Sequence, residues 1–158
     1  MSKLLKNFVG IDISKTWFDA AIISSNNFGE VTHQQFAQTP EGYHRFHQWL
    51  HHHSVLLNSE TLLCMEYTGV YNTGLVRFLV KEDAQLWVEM PLRIKRASGL
   101  ERGSDDKSAA TKIAWYALRY CDRAKLWKPC DTVCSVSKWH WYSNSYCPAC
   151  LHKRLHCI

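Results

Sequence analysis

Four carboxylates in this 158-residue chain stand where acids need a reason: Asp12 inside the apolar run NFVGIDI, Glu66 inside TLLCMEY, and Asp105 and Asp106 just ahead of a stretch with helical spacing. A charge buried in an apolar strand is costly unless it is paired. The distances between these acids along the chain carry no information, but strand ends and a helix start can bring them together. Carboxylates gathered closely repel one another unless a cation sits among them. Hard oxygen ligands of this kind select Mg²⁺ or Mn²⁺, and two such ions activate an attacking oxygen and stabilise a leaving oxygen in phosphodiester chemistry. Asp12 alone also reads as a capping or turn acid; the acids together point to a cation site.

The elements that must position these acids are legible in the periodicity. Residues 7–13 and 17–24 are apolar and β-branched, and Ser14-Lys15-Thr16 between them predicts a hairpin. A turn at Asn26 to Gly29 leads into a third strand, EVTHQQFAQ, whose imperfect alternation suits an outer position. Thr39 reads as an N-cap with Pro40 at the first helical position, opening a helix to about Ser54 with Phe46, Trp49 and Leu50 on one face. The five histidines on that helix, His44, His47, His51, His52 and His53, have no carboxylate or thiol company and read as surface residues. Then follow the strand TLLCMEY, a helix from about Tyr71 to Glu82, the strand AQLWVEM, a helical stretch from Pro91 to about Leu100, and a last helix from Ser108 to Tyr120. Ala110, Ile113, Ala114 and Ala117 form the apolar stripe of that last helix. Three strands in a meander, then helix, strand, helix, strand, helix, helix, is the layout of a ribonuclease-H-like α/β domain, a mixed sheet with helices on both sides.

Composition narrows the classes. With 46% hydrophobic and 21% charged residues the chain is ordinary for a globular domain, so disorder is not expected. No apolar run reaches the roughly 18 residues of a membrane span, and Asp12 interrupts any secretory h-region, so a soluble, cytoplasmic protein is expected. Nineteen Lys and Arg against 14 Asp and Glu give a formal charge of +5, which favours a polyanionic partner. The excess sits between Arg93 and Lys128, where ten basic residues face four acids. Such a run is either a solvated helical face or a surface that contacts phosphates.

Three stretches, VGIDISKTWFD from Val9, MEYTGVY from Met65 and IKRASGLERGSDDKSAATKIAWYA from Ile94, resemble the three blocks of the DEDD transposases and invertases, the Piv/MooV and IS110-type group with a RuvC-like catalytic domain. The resemblance spans about residues 6–128 and implies a RuvC-like N-terminal domain over 1–128; the composition changes at Pro129, and the Cys- and aromatic-rich tail, 129–158, has no helical period and is not expected to be a domain. The resemblance implies DNA transposition through metal-dependent strand cleavage and transfer, with Asp12, Glu66 and Asp106 as the catalytic, Mg²⁺- or Mn²⁺-binding acids and Asp105 as a substitute. Asp106 is the third acid because the family's Arg-Gly-x-x-Asp-Lys pattern falls on Arg102 to Lys107. Lys15, Arg96, Arg102, Lys107 and Lys112 are the expected contacts to nucleic acid. DNA, a structured guide RNA and further copies of the same chain are the partners the resemblance implies.

The sequence departs from the pattern twice. The family's fourth acid, one helical turn after the third, is Ala109 here, and the alternative register would offer only Ser108. The chain also ends before the long helical region and C-terminal domain of the family, so a truncated, catalytically impaired enzyme, or a non-catalytic remnant that binds nucleic acid, is expected. Five of the seven cysteines lie in the last 30 residues. Cys130 and Cys134, with Cys147 and Cys150, have a spacing compatible with a four-thiolate zinc site, although no glycine follows either pair. GIDISKT also resembles the first phosphate loop of actin-like kinases and ATPases, but the second phosphate loop and the glycine-rich adenosine motif of that superfamily are missing.

Overall fold

In the computed structural model, which describes residues 5–25, 27–97 and 109–128, the sheet is built outward from the run that carries Asp12. Strand β1 (Asn7–Ile13) turns through Ser14 to Thr16 into β2 (Trp17–Ser24), the Ser14 N–H donating to the Trp17 carbonyl at 2.9 Å. The two strands pair antiparallel, Asp12 opposite Asp19. Strand β3 (Asn27–Ala37) pairs antiparallel with β2, its register shifting between Ile23 and Ser24. On its other side β1 pairs parallel with β4 (Thr61–Glu66), and β4 pairs parallel with β5 (Gln85–Glu89). The order β3-β2-β1-β4-β5 leaves β2, β1 and β4 interior, and β1 and β4 are apolar almost throughout because both of their faces are covered.

Helix α1 (Pro40–His52) starts where Thr39 Oγ1 accepts the Gly42 N–H at 3.1 Å, the cap expected from Thr39-Pro40. It lays Phe46 and Trp49 on Phe18 and Phe36, with ring centroids 5.3 to 5.4 Å apart between Phe36 and its two partners on α1 and 5.4 Å between Phe18 and Phe46. The opposite face of the sheet belongs to α4 (Ala109–Arg119), whose stripe of Ala110, Ile113, Ala114 and Ala117 is buried as its spacing predicts. Ala110 and Ala114 press so closely on Gly10 that a Cβ there would collide with the Ala110 carbonyl oxygen and the Ala114 backbone. Phe8, Leu62, Cys64 and Trp87 continue this face, packed with Ile113 and Ala117. Two shorter helices, α2 (Thr73–Lys81) and α3 (Pro91–Ala97), follow β4 and β5.

Most element boundaries fall within two residues of expectation, and two differences matter. β3 begins at Asn27 rather than Glu30. The helix expected from Tyr71 opens instead as a 3-10 turn, Gly69–Asn72, entered through Gly69 at φ +75°, a backbone conformation that glycine adopts without a Cβ penalty. The described residues up to Trp127 belong to one compact unit, and residues 129–158, expected as a tail, lie outside the described residues. Among the described residues no helix is long and apolar enough to cross a membrane.

Candidate functional site

Alternation in β1 sends Phe8, Gly10 and Asp12 to the α4 side of the sheet, so the carboxylate emerges just beyond the last residue that α4 covers. Glu66 is the final residue of β4, one step past the Ile11–Met65 pair, and is therefore the parallel neighbour of Asp12. The two half-buried carboxylates share the carboxyl ends of adjacent parallel strands, where open α/β sheets bind their ligands. Burial raises the Asp12 pKa above its ordinary 3.8, the Asp19 charge raises it further, and the Ile13 N–H bond partly offsets both. Burial likewise raises Glu66 above 4.5, with Asp12 adding to the rise and the Lys95 ammonium on α3 opposing it. Each acid is thus held beside a like charge.

The registers extend this pair into a row across four strands, Asp19–Asp12–Glu66–Glu89. Asp19 is clamped from β3: Gln35 Nε2 donates to both of its carboxylate oxygens at 3.3 Å and His33 Nε2 lies 3.3 Å from Oδ1. Glu89 is only 5% exposed, and its carboxylate accepts the Met90 N–H at 2.8 Å and the Tyr116 hydroxyl at 3.4 Å, with Arg93 at 3.7 Å. Burial and the Glu89 charge push the Tyr116 hydroxyl up to about 12 and lift the Cys64 thiol well above its ordinary value. Glu89 is therefore satisfied within the α3–α4 packing, whereas Asp12 and Glu66 face outward. A fully buried Asn72 fixes the backbone after Glu66: its Nδ2 donates to the Glu66 carbonyl at 2.9 Å, and its Oδ1 accepts the Thr68 N–H at 2.8 Å and hydroxyl at 2.7 Å. Gln38 ties the hairpin turn to the same loop, donating to the Ser14 and Tyr71 carbonyls at 3.3 and 3.1 Å.

Of the acids expected at the site, Asp12 and Glu66 are brought together, while Asp105 and Asp106 lie outside the described residues. Among the described residues no three His, Cys, Asp or Glu side chains form a metal-holding group. Ala109 is the first residue of α4 and is exposed. Because Ala110 meets Gly10 while Ala117 lies in the Phe8 cluster, α4 begins at the Asp12 end of β1. Lys15 in the hairpin turn, Arg96 on α3 and Lys112 on α4 are exposed, and Arg102, Lys107, Cys130, Cys134, Cys147 and Cys150 lie outside the described residues. Sequence reasoning missed Asp19, Glu89 and Asn72. For Glu89 the signal was present, since AQLWVEM ends on an acid as TLLCMEY does.

A mixed five-stranded sheet of this order with helices on both faces is the ribonuclease-H-like fold of RuvC, and solved structures agree. The chain matches Thermus thermophilus RuvC in complex with a Holliday junction substrate with a TM-score of 0.53 and 13% identity, covering 77% of this chain and 99% of that one. A second T. thermophilus RuvC structure matches with a TM-score of 0.50 and 15% identity over the same shares. The family model of the IS110-type DEDD proteins, described as a transposase, matches residues 9–135, and the chain belongs to that family. It is 30% identical over 128 residues to the pilin gene-inverting proteins of Moraxella bovis and Moraxella lacunata, across 78% of its own length. It spans 37% of the length of those relatives.

Proposed function

We propose that this chain is the catalytic-domain portion of a DNA transposase or site-specific recombinase acting in the cytoplasm, with Asp12, Glu66 and Asp106 holding Mg²⁺ or Mn²⁺ at a DNA phosphate. The observation that carries the reading is the juxtaposition of Asp12 and Glu66, one step past the Ile11–Met65 pair of adjacent parallel strands and close enough to interact as charges. The donor set fits a hard divalent ion, since two half-buried carboxylates, each destabilised by a like charge, gain most from a cation between them. When bound, such an ion supplies Lewis-acid polarisation of a phosphate. The chain's own residues orient the site: Asn72 fixes the backbone at Glu66, Lys95 moderates the Glu66 charge, and Gly10 lets α4 begin beside Asp12. Asp106 lies outside the described residues and enters this reading through the family's Arg-Gly-x-x-Asp-Lys pattern alone.

Ala109 favours a further reading, in which nucleic acid is bound and strand cleavage is impaired. Its place at the start of α4 is where a fourth carboxylate would complete a two-ion site, and a methyl group cannot ligate. Both readings share a polyanion-binding surface that includes Lys15, Arg96 and Lys112. Binding of a labelled four-way DNA junction should weaken with rising salt. Replacing those three exposed cations by alanine together should lower the slope of log K against log salt by about 2 to 3. Undetectable DNA binding, or a slope unchanged in the triple variant, contradicts the proposed interface; preference for structured RNA of equal length assigns the surface to RNA instead.

A further inference from the structure

Asp19 is the member of the carboxylate row that is neither part of the Asp12–Glu66 pair nor absorbed in helix packing. It lies opposite Asp12 in the β1–β2 register, which puts the two Cβ atoms about 4.5–5.5 Å apart on one face of the sheet. A carboxylate in that position, facing another acid, is unfavourable and would rotate away if free. It is instead fixed by three contacts of 3.3 Å, two from the Gln35 amide and one from His33, all from β3. On the other side, α4 offers Ala110 and Ala114 to the cluster of Ala21 and Ile23 with Trp115 and Leu118 beside them, so the described α4 residues packed there bring no neutralising cation. The protein thus holds a negative charge against Asp12 from which Asp12 gains nothing in the metal-free fold. Among the described residues Asp12, Glu66 and Asp19 do not make a three-donor metal group, which sets Asp19 behind the pair.

We propose that Asp19 is a positioning residue of the cation site, a fixed carboxylate that strengthens the negative potential at Asp12 and Glu66 and thereby draws in the divalent ion without touching it. This rests on the cation reading above and adds a residue, with its β3 clamp, to that reading. The coupling follows from the register, which sets the two carboxylates on one rung of the sheet. An ion bound at Asp12 feels the same charge with opposite sign. Across a partly wet separation, one unit charge acting on a divalent ion is worth about a fivefold to tenfold change in affinity.

The test is Mn²⁺ binding by calorimetry, together with thermal unfolding in EDTA, for the full chain and its Asp19→Asn, Asp19→Glu, Gln35→Lys and Asp12→Asn variants. Asp19→Asn should unfold in EDTA at or above the parent temperature, because a repulsion is relieved, yet bind Mn²⁺ about fivefold to tenfold more weakly. Asp19→Glu should recover most of the affinity. Gln35→Lys, at an exposed position, should weaken binding in the same direction by neutralising Asp19 without removing it. A purely structural role predicts a lower unfolding temperature in EDTA with unchanged Mn²⁺ affinity, and that result overturns the proposal. Unchanged affinity in Gln35→Lys overturns it as well, whether or not Asp19→Asn folds. If the parent binds Mn²⁺ and Asp12→Asn does not, failure at Asp19 leaves the cation reading standing; if the parent itself does not bind, both fall.

Discussion

Replacing Gly10 by alanine should loosen the contact on which the placement of α4 depends. The added Cβ would run into the Ala110 carbonyl oxygen and the Ala114 backbone nitrogen and Cα. These are backbone atoms within the first six residues of an 11-residue helix, so no side-chain rotation relieves the overlap and the helix must lift from β1. Overpacking of this kind costs about 1–3 kcal/mol. The alanine also restricts the unfolded chain, which returns about 0.4–1 kcal/mol. The net loss is about 1–2 kcal/mol, and for a domain of this size it lowers the unfolding midpoint by about 3–10 °C. Thermal unfolding followed by circular dichroism measures it, with Lys112→Ala on the exposed side of the same helix as the control, expected within about 0.5 kcal/mol of the parent. A Gly10→Ala protein as stable as the parent would refute the close seating of α4 on β1, and with it the argument that brings the start of α4 to Asp12.

Other consequences follow from the same geometry. Asn72→Ala strips buried partners from Thr68 and from the Glu66 carbonyl, and should cost about 1–3 kcal/mol of stability in urea unfolding. In metal-free buffer, Asp12 and Glu66 keep their protons in the fold above the ordinary values of 3.8 and 4.5 at which the unfolded chain releases them. The folded state therefore binds more protons in that window, and the stability this pair contributes is fully present below it and lost as pH rises through the raised folded values. Unfolding from pH 3.5 upward should show that decline, and Asp12→Asn should flatten it; a stability that climbs with pH over this range in the parent, relative to the variant, contradicts the raised pKa values. Ala109→Asp should tighten Mn²⁺ binding by adding a carboxylate at the start of α4, and unchanged affinity removes Ala109 from the list of ligand positions.

The architecture was readable because its signals are local and strong. β-Branched runs gave β1 and β2 their limits, Thr39-Pro40 marked the start of α1, and the alanine stripe of α4 matched its buried face. Asp12 and Glu66 were legible for the opposite reason, as acids in runs that otherwise exclude charge. Asp19 was not, because a polar residue alternating with Phe18 and Ala20 is what a half-covered strand looks like; its meaning lies in the register with Asp12, which is a pairing between strands. Asn72 was hidden in the same way, since a polar residue three positions after Gly69 reads as loop until its amide is seen to be buried and fully bonded. The 3-10 turn displaced the predicted helix start because that amide captures Thr68 before the α-helical pattern begins.

The central claim is that Asp12 and Glu66 form the inner half of a divalent-cation site. Thermal unfolding of the full chain across a Mn²⁺ titration, beside Asp12→Ala and Glu66→Gln, tests it most directly. An ion that binds only the folded state raises stability by RT ln(1 + [L]/Kd), about 2.7 kcal/mol at a hundredfold excess over Kd. The parent should gain that stabilisation and both variants should lose it. A parent that Mn²⁺ does not stabilise, or variants stabilised as much as the parent, would contradict the claim.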